Sequence, residues 1–197
     1  MLPSNFVIIG TLIGAVGSLA YLIDTLKGKV KPNRVSFLLW SIAPLIAFAA
    51  QIGKGVGIES VMTLSVGVLP LMIFGGSFVN KKAEWKLTPF DLSCGFLSIV
   101  GLIFWLITQE GNIAILFSII ADGLAAIPTV VKAYKYPESE LAWPWLMTSI
   151  GVILTLLTLN QLTFANSGFI IYIFIVNTTI FALAQFKVGK RVARPLP

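Results

Sequence analysis

The run Ile113-Ala-Ile-Leu-Phe-Ser-Ile-Ile-Ala-Asp122-Gly-Leu-Ala-Ala-Ile-Pro128-Thr-Val-Val131 is apolar over nineteen residues and carries one charge, Asp122, at its tenth position. A helix of about 20 mainly apolar residues spans the hydrocarbon of a bilayer. The run therefore reads as a membrane crossing with a carboxylate at its middle. A charge at that depth costs roughly 2.5–3.5 kcal/mol even on insertion scales. Side chains that persist there face a bundle interior, where they meet a polar partner, water or a solute. The expectation is an integral membrane protein that moves or senses something.

Working outward, six more stretches have the same character: Asn5–Leu26, Val35–Gly53, Ser60–Val79, Leu92–Gln109, Leu141–Asn160 and Gly168–Phe186. The chain has 197 residues, 57% of them hydrophobic and 11% charged, with a mean hydropathy of +0.93. A soluble domain carries about 25% charged residues. The expected fold is an all-α integral membrane protein of seven transmembrane helices, with no room for a soluble domain. The uncharged block Leu141–Phe186 is too long for one crossing, and the turn-forming residues between Asn160-Gln161 and Asn166-Ser167-Gly168 divide it. The first stretch has no basic residue before it and no small-residue cleavage pattern after it, so it reads as a retained helix. Cys94 is the only cysteine, which leaves no intramolecular disulfide to infer.

Seven crossings put alternate loops on opposite sides. One side collects Lys27, Lys29, Lys31 and Arg34; Lys81, Lys82 and Lys86; Lys132 and Lys135; and Lys187, Lys190, Arg191 and Arg194. That is thirteen of the 14 basic residues, and only Lys54 lies on the other side. The positive-inside rule then places the N-terminus outside and the C-terminus in the cytoplasm of a plasma or inner membrane. Topology accounts for the net charge of +6, so no nucleic-acid partner is read from it.

The chain divides as three helices, a linking helix and three more: 1–86, 87–111 and 112–197. At an offset of 105 residues, Leu19-Ala20 meets Leu124-Ala125, Lys27 meets Lys132, Pro32 meets Pro137 and Trp40 meets Trp145. The shared pattern is a helix, a basic end, a proline-containing turn, and a tryptophan just inside the next helix. A single linking helix makes the two units parallel repeats, related by an axis along the membrane normal.

This layout, together with Gly17-Ser18-Leu19-Ala20-Tyr21-Leu22-Ile23-Asp24 followed by a basic turn and Trp40, resembles the SWEET sugar transporters and the wider PQ-loop superfamily. The Pnu-type vitamin transporters share the seven-helix plan. The resemblance implies proline hinges near the cytoplasmic ends of helices 1, 2, 5 and 6. Pro128 and Pro144 fit the second repeat, where the first has Ile23 and Leu39, and Pro44 lies one turn deeper in helix 2. It also implies a pocket-facing asparagine on the third helix of each unit. Asn177 fits the second unit, while Pro70-Leu71-Met72 occupies the matching region of the first.

Ser118, Asp122, Ala125 and Thr129 recur at helical spacing and share one face. The equivalent face of the first helix is Gly10, Gly14, Gly17, Tyr21 and Asp24, with Gly17 at the position matching Asp122. A cavity lined by both faces is expected, with Asn177 at the depth of Asp122. Asp122 then serves as a proton or cation coupling site or as the anchor of a polar solute; the alternative is a neutral carboxyl bonded to a neighbouring helix. Asp24 and Asp91 read as solvated, ion-paired helix ends, and Asp24 as a contributor to an inner gate. Trp40, Trp145, Trp85, Trp143 and Trp105 read as interfacial belt residues, unless Trp40 or Trp145 turns inward to stack on a solute ring. Gly10 and Gly14 form a small-residue pair suited to close helix packing.

The expected function is transport of a small polar solute, sugar-like or vitamin- or nucleoside-like, by alternating access between the repeats, with coupling to a proton or cation through Asp122. The alternative is a seven-helix receptor or regulatory subunit without transport. An enzyme is not expected: the chain has no histidine, no intramembrane carboxylate pair and no partner for Cys94. Neither a metal nor a cofactor is implied. The expected partners are the solute, the lipid bilayer and a second copy of the chain.

Overall fold

The computed structural model describes residues 3, 6–53, 60–108, 111–158 and 164–192. Among them the fold is all-helical. Seven long helices, α1 (Phe6–Leu26), α2 (Arg34–Gly53), α3 (Ser60–Gly76), α4 (Pro89–Thr108), α5 (Gly111–Lys135), α6 (Ala142–Leu156) and α7 (Phe164–Phe186), precede a short α8 (Val188–Val192). Lys54, Gln161 and the side chains of Ser118 and Trp105 lie outside the described residues. By length and composition α1 is able to cross a membrane, and α2, α3, α4, α6 and α7 contain shorter apolar stretches such as Pro89–Val100 and Ala142–Leu156.

Local chemistry sets the helix ends. Asn33 caps α2 by accepting the N–H groups of Val35 at 3.1 Å and Ser36 at 3.3 Å. Thr88 and Asp91 form a reciprocal capping box on α4: the Asp91 carboxylate accepts the Thr88 N–H at 2.7 Å, and the Thr88 hydroxyl accepts the Asp91 N–H at 3.3 Å. After α1, Gly28 takes a left-handed φ of 71°. There the Lys29 N–H reaches the Asp24 carbonyl and the Gly28 N–H reaches that of Thr25, each at 2.9 Å, the paired bonds of a Schellman stop.

Packing follows a pattern of exchange. α3 lies against α1 and α2, and α7 against α5 and α6; between these groups α1 packs on α6 and α2 on α5. Swapping α1 with α5, α2 with α6 and α3 with α7 turns each of these contacts into another of the set. α4 leans on α2 and α5, where the Ser98 hydroxyl donates to the Ala121 carbonyl at 2.6 Å.

Two clusters form the interior. Tyr21, Val30, Phe37, Ile73, Ala133, Trp145 and Ile180 meet near one end, and Leu39, Ala121 and Ala125 fill the α2–α5 seam. The outer surface is strongly apolar, with Leu12, Val16, Phe96, Ile107 and Ile175 all exposed. The loops rich in basic residues gather at one end. Asn80 donates to the Leu26 carbonyl at 3.0 Å, Trp85 meets Tyr136 at a ring separation of 5.6 Å, and Lys190 pairs with Glu138 at 2.8 Å.

Candidate functional site

Asp122 lies where α5 meets α2 and α7. The Tyr172 hydroxyl, from α7, donates to its Oδ2 at 2.7 Å, and the Trp40 side chain, from α2, lies beside the carboxylate. Among the described residues the ion pairs are Lys29–Asp24, Arg34–Glu84, Lys132–Glu140 and Lys190–Glu138, so no cationic side chain is paired with Asp122. The interior of the bundle thus holds a carboxylate bonded by a neutral donor of its own half of the chain, with Trp40 of the other half beside it.

Beside it stands an aromatic group. Trp40 and Trp145 meet edge to face with centroids 5.8 Å apart, and Phe37 lies 5.3 Å from Trp40 and 5.3 Å from Tyr21. The expectation of an interfacial belt fails for these two tryptophans. Both turn inward because α2 and α6 present them to the same core, and the Trp145 Nε1 is buried there without a hydrogen-bond partner. Trp85 packs on Tyr136, while Trp143 is exposed as a belt residue would be.

The remaining site residues are dispersed. Thr129 is buried and donates to the Ser36 hydroxyl at 3.0 Å, bridging α5 to α2. Asn177 is buried, but its amide donates to the Ile173 carbonyl of its own helix at 2.9 Å. Tyr21 donates to Glu140 at 2.8 Å, away from Asp122. Gly17 does not supply space opposite Asp122. A Cβ there would lie 3.0 Å from the Pro144 carbonyl oxygen, so the glycine admits α6 instead. The polar faces of α1 and α5 therefore look to different partners, α1 to α6 and α5 to α2 and α7, because the exchange relation pairs the first helix of each unit with the second helix of the other.

The prolines also differ from one another. Pro44 and Pro128 lie inside α2 and α5, where each removes a helical bond to the residue four back, Trp40 and Leu124. Pro144 is the third residue of α6. In that first turn its missing N–H interrupts nothing, so it is no mid-helix hinge. Asp24 pairs with Lys29 at 3.5 Å. Asp91 departs from the expected solvated end: it is buried, it caps α4, and it accepts the Asn33 amide at 3.0 Å.

Sequence reasoning passed over Tyr172, because no pattern fixes the rotation of α7 about its axis relative to α5. It also counted Lys132 only as a loop charge and did not single out Glu140. Their opposite charges flank the Pro137 turn, eight residues apart, and that spacing was the available signal.

Outside the helical core, Glu138 is held below the usual carboxylate range, first by its hydrogen bond from Lys190 and then by a backbone hydrogen bond. Comparisons with known protein families, curated proteins and solved structures find no match to this chain.

Proposed function

We propose that the chain is a polytopic membrane protein whose seven long helices form two parallel three-helix units joined by α4, and that it carries a small polar solute by alternating access between them. The observation that carries this reading is the exchange relation in the packing, joined to one contact. Trp40 and Trp145, which match at the repeat offset of 105, touch each other across the interior. Residues related by a two-fold axis touch only near that axis, and parallel repeats so related are a transporter architecture. The apolar outer surface suits lipid, and the gathering of basic loops at one end suits a cytoplasmic face with the N-terminus outside.

Asp122 is the solute or coupling-ion site in this reading. It has a neutral donor in Tyr172 and no cationic partner among the described residues, so a neutral polar or cationic solute suits it better than an anion. The SWEET-like layout agrees with a sugar-like or vitamin-like solute. The internal pairing of Asp122 with Tyr172 also favours a second reading, a receptor or regulatory subunit in which the carboxylate fastens helices.

Flux into proteoliposomes separates the two. Sugars, nucleosides, vitamins and amines are screened with the native protein and with Asp122→Asn, at two pH values. Uptake lost in the variant supports transport through this site. Absence of flux for every compound, with ligand-dependent thermal stabilisation retained, supports the receptor reading.

A further inference from the structure

The basic end of the bundle is held shut by bonds that the Asp122 site does not use. Lys132, on the last turn of α5, and Glu140, just before α6, form an ion pair with both side chains fully buried. The Lys132 ammonium also donates to the Lys31 carbonyl in the α1–α2 loop. The second oxygen of Glu140 accepts the Tyr21 hydroxyl of α1 at 2.8 Å. The Lys31 N–H in turn donates to the Ser139 carbonyl at 3.2 Å. From the segment after α3, the Trp85 ring covers the ammonium with its centroid 5.1 Å away.

Three of these bonds run between residues 1–86 and 112–197: Tyr21 to Glu140, Lys132 to Lys31, and Lys31 to Ser139. They join the two loops that occupy matching places in the repeats. A buried ion pair adds little stability over apolar residues of the same size, whereas removing one partner strands a charge. Its consequence is therefore selection of an arrangement. With the loops together, the two charges satisfy each other and two groups of the first unit; with the loops apart, water satisfies them. Both states are chemically complete, as a two-state element requires.

We infer that Tyr21, Lys132, Glu140 and the Lys31 carbonyl form a lock that keeps the basic end of the two units closed and releases when that end opens. This rests on the reading of two moving units, and it adds the gate that controls access to the Asp122 site from the loop side.

The test is a distance measurement without solute. In a Cys94→Ala background, spin labels are placed at Lys27→Cys and Glu138→Cys, exposed positions on the two sides of the seam. The labelled parent gives a predominantly short distance. Tyr21→Phe deletes one oxygen and one hydrogen bond to a charged acceptor, and it raises the ratio of long to short distances roughly tenfold. Glu140→Gln removes the ion pair and shifts the distribution further. Unchanged distributions in both variants, with native helical content, overturn the lock. If Glu140→Gln fails to fold, Tyr21→Phe decides alone.

Flux measured on the same proteins separates this inference from the transport reading. Opening without flux of any solute keeps the lock and removes the transporter. Flux in a protein whose label distances ignore both substitutions keeps the transporter and removes the lock.

Discussion

Substituting Gly151 by alanine tests the α1–α6 seam directly. A Cβ at Gly151 falls 2.5 Å from the Gly10 carbonyl oxygen, and one at Gly10 falls 2.8 Å from the Gly151 oxygen. Close C···O contacts in proteins lie at about 3.3–3.6 Å, so the two helices must part by about 1 Å. The obstructing atoms are backbone, so no side-chain rotation relieves the contact. Overpacking of this kind costs about 1–3 kcal/mol. Alanine regains about 1 kcal/mol of helix propensity, leaving Gly151→Ala destabilised by up to about 2 kcal/mol.

Gly14, one turn along α1 from Gly10, is the internal control. Nothing lies within 4 Å of a Cβ built there, so Gly14→Ala is neutral or stabilising by up to about 1 kcal/mol. Equilibrium unfolding in mixed micelles, followed by circular dichroism, compares the two variants. Combining Gly10→Ala with Gly151→Ala costs less than the sum of the single changes, because helices already forced apart accept the second methyl more readily. Equal stability of Gly14→Ala and Gly151→Ala refutes the crossing, and with it the placement of α1 against α6.

Three further predictions concern other parts of the fold. Thr129→Val keeps the side-chain shape and deletes the hydroxyl that bonds Ser36; with Ser36→Ala it shows a coupling of about 0.6–1.5 kcal/mol in a double-mutant cycle, and zero coupling excludes the bond. Lys187 has a left-handed φ of 49° between α7 and α8, so Lys187→Gly gains up to about 1 kcal/mol where Lys187→Ala gains none; unfolding of both variants checks this. Glu138 has its folded pKa depressed from 4.5 by Lys190, so the pair's contribution is present above pH 4.5 and is lost as pH falls through the lower folded value. The exposed position keeps that contribution small and salt-sensitive, and Glu138→Gln loses this part of the acid dependence in melts at pH 7 and pH 3.

The helices and the exchange of their contacts follow from features legible in one sequence. Each of the seven apolar stretches is long enough to dictate a helix, and the basic turn before α2 and α6 and the tryptophan inside each recur at matching places. Asp122 was legible for the same reason: one charge in nineteen residues has few bland explanations. Partner choice was not legible. Helical spacing puts Gly10, Gly17 and Tyr21 on one face, but nothing in that spacing says whether α5 or α6 covers it. Trp40 and Trp145 were ambiguous because a tryptophan near a helix end suits an interface and an interior equally until the rotation of the helix is known. Tyr172 required the rotation of α7, and Glu140 required the fold of a turn.

The two seams that the exchange relation makes equivalent differ in chemistry. The α1–α6 seam is built of backbone against backbone at Gly10 and Gly151, and of Gly17 against Pro144; such contacts have one close-packed arrangement and tolerate little displacement. The α2–α5 seam is built of side chains, with Trp40 beside Asp122, Thr129 bonded to Ser36, and Leu39 against Ala121 and Ala125. Both of its helices lose a backbone bond at an internal proline, Pro44 and Pro128. Side-chain bonds can be remade with water or solute, whereas interlocked backbones cannot. If the units rock, Gly10 and Gly151, at the end of the α1–α6 seam remote from the basic loops, are therefore the fulcrum, and the polar seam and the basic end are what part. The single carboxylate of the long apolar run stands on the helix that forms the polar seam, and Gly151→Ala and Thr129→Val perturb the two seams separately.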